Sequence, residues 1–137
     1  MRILLEIIAG LQIGIAILNL FLVPLLKWKE ELARMPLLLR EVFQVHVWFI
    51  SITLTIFGVL TLRFGQELAA PTAPLARWLL AAIGSFWLIR TVLQVSYYSH
   101  SHWRGNLSRT IVHVGCLLLY GGFAAVYLWN AFSQLRP

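Results

Sequence analysis

PLLLREVFQVHVWFISITLTIFGVLTL, residues 36–62, decides the fold. A proline, favoured in the first turn of a helix, stands ahead of an apolar run whose charged residues, Arg40 and Glu41, both come near its start. About 20 apolar residues in a helix, rising about 1.5 Å each, cross the roughly 30 Å of hydrocarbon in a bilayer. This run is longer than that and reads as a transmembrane helix.

Three more runs of the same kind flank it, over about residues 3–26, 75–98 and 107–132. The connections KWKEELARM (27–35), RFGQELAAPTAP (63–74) and SHSHWRGN (99–106) are short and polar, which forces successive helices to run antiparallel. The expected fold is all-α: one domain over residues 1–137, an integral membrane, up-down four-helix transmembrane bundle. The first run exceeds the apolar core of a signal peptide and no small-residue cleavage site follows it, so it is expected to remain in the protein. Trp28, Trp78, Trp103 and Trp129 fall near helix ends, where amphipathic rings settle at the membrane–water interface.

Composition excludes a soluble domain. Only 12% of the 137 residues are charged, against about 25% in soluble proteins, and the mean hydropathy is +0.81. The net charge of +6 sits mostly at the ends of the apolar runs, so its expected partner is anionic membrane lipid and not nucleic acid. Cys116 is the single cysteine, which excludes an internal disulfide or a paired thiol redox motif.

On an up-down topology, one side of the membrane receives the first and third connections. Asn19, Glu41, Gln44, His46, Arg90, Gln94, Tyr97, His100, His102, Arg109 and His113 all fall in the half nearer that side. Ionisable groups in a bilayer are costly, and a cluster of them marks a site. At about 100° per residue, Arg109, His113, Tyr120, Ala124 and Tyr127 share one stripe of the fourth helix. By the same arithmetic Arg90, Gln94, Tyr97 and Ser101 share one of the third, and Gln12 and Asn19 one of the first. On the second helix His46 points roughly 140–160° away from Glu41 and Gln44, so these three do not share a narrow pocket.

Two histidines on different helices of a bundle suit axial ligation of haem iron. The first functional expectation is therefore a small membrane b-type cytochrome-like protein that passes electrons, with quinone as an exchange partner. His46 and His113 are its metal ligands, with His100 and His102 as secondary candidates. Arg90, Arg109 and Tyr97, with neighbouring Tyr98, are the cofactor-binding set around the propionates of haem b, and Gly115, Gly121 and Gly122 leave room for a macrocycle or close helix packing. Arg90, deep in its helix, also needs an anion, for which Glu41 is the candidate. The alternatives are an accessory or assembly subunit of a larger membrane redox or pigment complex, and a membrane enzyme acting on a lipid-soluble substrate such as a quinone. The small pair Gly10 and Gly14 favours close packing, within the bundle or in a homo-oligomer. No phosphate-binding loop, H-E-x-x-H or haem-attachment motif is present. Lys27, Lys29, Arg34, Arg40, Arg104 and Arg109 on one side, against Arg2, Arg63, Arg77 and Arg136 on the other, place the termini outside the cytoplasm in a bacterial inner membrane.

Overall fold

The computed structural model describes residues 1–97, 105 and 107–133. It is all-helical, with no strand among the described residues, and four of its helices are long and apolar enough to cross a membrane. In chain order the helices are α1 (Arg2–Leu20), α2 (Leu22–Leu25), α3 (Lys29–Ala33), α4 (Leu37–Arg63), α5 (Gly65–Ala69), α6 (Pro74–Ser96) and α7 (Leu107–Phe132). The chain forms two compact units, Met1–Gly65 and Gln66–Pro137, and each is built on one pair of long helices.

In the first unit α1 stops earlier than hydropathy alone implies. The apolar run continues to Leu26, but Pro24 has no N–H to give the Leu20 carbonyl and its ring crowds that turn, so the helix breaks at Phe21 (φ −99°, ψ 5°). A second short helix, α2, follows at once. It ends with Lys27 in the left-handed region (φ 56°), where the Trp28 N–H reaches the Val23 carbonyl at 3.0 Å and the Lys27 N–H reaches that of Pro24 at 3.4 Å. This is a Schellman closure with lysine in the place usually given to glycine. Pro36 caps α4 with extended backbone (φ −49°, ψ 141°) and so precedes the first turn.

The seam of α4 is Val47, Ser51, Leu54, Gly58 and Thr61, spaced four and three residues apart, the repeat that keeps one face against a neighbouring helix. Its counterpart on α1 is Leu5, Ile8, Ala9, Gln12 and Ala16. Gly58 marks the closest approach: a Cβ there would lie 2.6 Å from Ile13 Cγ1 and 3.0 Å from the Ala9 carbonyl oxygen. Asn19 at one end of α1 donates through Nδ2 to Val47 O (3.0 Å) and Ser51 Oγ (2.9 Å), while Glu6 at the other end faces Gly65. The two helices are therefore antiparallel. Because α1 ends beside Val47 and Ser51, the first third of α4, from Leu37 to His46, runs beyond it, and all of it but half-buried Phe43 is exposed.

The second unit pairs α6 with α7, also antiparallel. Gly84 packs on Leu128, with a Cβ there only 2.7 Å from Leu128 Cγ, and Thr91 lies beside Gly121. The core is aromatic: Trp87, 1% exposed, stacks on Tyr120 (5.2 Å, 27°) and meets the edge of Phe123 (4.9 Å, 71°). Asn130, fully buried on α7, donates to the Leu68 carbonyl and so ties α5 to the hairpin.

Candidate functional site

Leucines, valines and alanines make α6 and α7 helical without supplying any polar partner. Each polar side chain on the facing stripes must then find one across the seam or within its own helix. Arg90 and Gln94 are one turn apart on α6, and Arg90 Nη1 donates to Gln94 Oε1 at 2.9 Å. A guanidinium has donors only, so this bond fixes the orientation of the Gln94 amide with its oxygen toward Arg90 and its NH₂ turned away. That NH₂ meets His113 Nδ1 on α7 at 3.1 Å. Since an amide nitrogen donates, Nδ1 accepts, and the ring proton of neutral His113 resides on Nε2. The Arg90 guanidinium also lies over the Tyr120 ring, 5.1 Å from its centroid, and Tyr120 in turn stacks on Trp87. Cation, amide, imidazole and two aromatic rings thus form one connected cluster inside the second hairpin.

His46 is set differently. It lies on the exposed first third of α4, and its Nδ1–H donates to the Val42 carbonyl one turn back at 2.8 Å. A main-chain carbonyl only accepts, so in the neutral ring the proton is on Nδ1 and the lone pair on Nε2. That is the tautomer in which metal-bound imidazoles are commonly held, with the second nitrogen tied to an acceptor. The two histidines therefore present opposite chemistry at Nε2: an acceptor on His46, a donor N–H on His113.

Of the other residues expected at the site, Gln94 (6% exposed) lies in the seam of the second hairpin, with Arg90, His113 and Tyr120 half-buried beside it. Tyr97 does not join them. It caps the C-terminus of α6 (φ −93°, ψ −35°) and is 83% exposed, because the stripe was extended past the last turn that holds it. Arg109 is exposed in the first turn of α7, and Glu41 and Gln44 are exposed on α4. Tyr98, His100, Ser101 and His102 lie outside the described residues. Gly115 and Gly122 have nothing within 4 Å of an added Cβ, whereas Gly121 is in ordinary contact with Thr91. Among the described residues no group of three or more His, Cys, Asp or Glu side chains is placed to hold a metal ion. Axial haem ligation, which takes two, is a separate requirement.

Trp87 is the member of the cluster that polar patterning misses. Its signal was its register, three residues before Arg90 and seven before Gln94, which puts all three on one stripe. Comparison with protein families, characterised proteins and solved structures finds no match to this chain.

Proposed function

We propose that this protein spans a membrane four times as an up-down bundle and is a small b-type cytochrome-like electron carrier, holding haem b through His46 and His113 and exchanging electrons with quinone. The observation that supports this reading most is His46, whose ring is anchored through Nδ1–H to Val42 and carries its Nε2 lone pair on an exposed face. His113 would be the second ligand, with its ring proton on Nδ1 and the Gln94 amide turned to accept it. Arg90 and Arg109 offer the positive charge, and Tyr97 the hydroxyl, that two propionates require. Bound haem would supply one-electron chemistry at its iron.

The visible spectrum of the full chain, produced with ample haem, tests the proposal. Low-spin bands that sharpen on reduction are expected. His46→Ala or His113→Ala should each remove most of the haem or turn the iron high-spin, while His100→Ala and His102→Ala leave the bands in place. A wild-type protein without haem absorbance overturns it.

The Gln94–His113 bond favours a second reading. In it, Arg90, Gln94 and His113 fasten the helices of the hairpin, and the chain is an accessory or assembly subunit that docks the bare first third of α4 against a larger membrane complex. A colourless protein running within a larger native assembly supports this reading over the first. Location in a bacterial inner membrane with both termini outside the cytoplasm belongs to either reading. Reporters fused after Pro137 test it, and activity of a cytoplasmic reporter alone overturns it.

A further inference from the structure

The second hairpin carries another feature, at the end away from His113. Between the start of α6 and the end of α7 lies an open groove of about 360 Å³, lined by Pro74, Arg77, Trp78, Ala81, Ala131 and Phe132. Among the described residues its lining holds one charge, the guanidinium of half-buried Arg77, and no carboxylate. Arg77 stands in the first turn of α6, its N–H 3.4 Å from the Ala73 carbonyl. A cation there opposes the helix dipole, so helix stability does not account for it. Ala81 and Ala131 keep the floor of the groove low, while Trp78 (74% exposed) and Phe132 (54%) stand out as its walls.

We infer that this groove seats an anionic phospholipid. The guanidinium offers paired donors matched to a phosphate, the two alanines leave a track for an acyl chain, and Trp78 stands where an indole prefers to lie, at the boundary of headgroup and chain. The complementarity is one of sign: the fixed positive charge of Arg77 beside an apolar trough suits an amphiphile with a negative head. The inference rests on the membrane reading proposed above and is independent of haem.

The test uses the full chain in phosphatidylcholine nanodiscs containing the same mole fraction of acyl-brominated lipid, either phosphatidylglycerol or phosphatidylcholine. Bromine quenches indole fluorescence on contact, and the difference between the wild type and Trp78→Phe isolates the signal of Trp78. Brominated phosphatidylglycerol should act at Trp78 with an apparent affinity about fivefold above that of brominated phosphatidylcholine. Arg77→Gln should abolish the preference. So should Ala81→Phe, which fills the groove and keeps the charge. Equal quenching by the two lipids, or a preference that survives both substitutions, overturns the inference. Trp78 shielded from both lipids while the other tryptophans are quenched also overturns it, and assigns the groove to a second copy of the chain. A protein in which no tryptophan is quenched by either lipid fails the membrane reading itself.

Discussion

The two hairpins solve the same problem with different chemistry. Each must place polar side chains along a seam of apolar neighbours. In the first hairpin, hydroxyls satisfy themselves locally: Thr53, Thr55 and Thr61 each donate to the carbonyl four residues back, and Asn19 bridges to Val47 and Ser51. These bonds are neutral and short in reach, and they leave the helices free to touch backbone to backbone at Gly58. In the second hairpin Thr91 and Ser96 make the same local bonds, but the longer polar groups are linked in series from an arginine, through an amide, to an imidazole, and aromatic rings fill the space that long side chains open. A tight seam confers packing, whereas a relay headed by a guanidinium orients the amide and so selects which nitrogen of the neutral His113 ring accepts. His46 lies beyond the first seam and takes its tautomer from the Val42 carbonyl alone, whereas His113 takes its own from the relay.

Removing the aromatic filling has the largest expected effect. Trp87→Ala takes away contacts with Tyr120 and Phe123 at a site with 1% exposure, and is expected to lower stability by about 3–5 kcal/mol. Reversible unfolding in mixed micelles measures this, and a loss below that of an exposed substitution such as Trp78→Ala would sink the claim that rings carry the second seam. Gly58→Ala probes the first seam. The added methyl meets Ile13 and the Ala9 carbonyl, so a loss of about 1–3 kcal/mol is expected, whereas Gly122→Ala, with open space around it, should be neutral or slightly stabilising. Equal effects at the two glycines would mean that the α1–α4 contact is looser than described.

The relay is probed by a double-mutant cycle. Gln94→Leu alone removes the amide's bonds to both Arg90 and His113 Nδ1, and Arg90→Met alone removes the partner of the amide oxygen. Each should cost about 1–3 kcal/mol, and the double variant less than their sum. Additive losses would show that the series connection is not energetic. The smallest effect is expected at the turn after α2, where Lys27→Gly relieves a left-handed lysine and should stabilise by about 0.5–1 kcal/mol in the same assay. A destabilised variant would show that the lysine side chain does something the turn geometry does not reveal.

Much of this was legible in the sequence for a simple reason: helix length and hydropathy are local, and so is the 100° step that sorts residues onto faces. Four long apolar helices follow from the first, and Gln12, Asn19, Arg90, Gln94, His113 and Tyr127 on packing faces follow from the second. The break at Phe21 was also written in the chain, as Pro24, but a hydropathy run does not register a missing N–H. Tyr97 fell off its stripe because face arithmetic knows nothing of where a helix ends. The tautomers were beyond reach, since each depends on a single partner atom, the Val42 carbonyl in one case and an amide turned by Arg90 in the other.

On the membrane reading proposed above, the unequal lengths of α1 and α4 have a mechanical consequence. Nineteen residues rise about 28 Å and twenty-seven about 40 Å, against roughly 30 Å of hydrocarbon, so a membrane matched to the shorter helix leaves about 10 Å of the longer one over. The close contact at Gly58 fixes the register of α4 against α1, and with Glu6 beside Gly65 little surplus remains at the C-terminal end of α4. The surplus falls on the stretch that leads up to His46. Thin membranes would draw that stretch into the headgroups and thick ones would submerge it, which makes acyl-chain length a control on the surroundings of this imidazole.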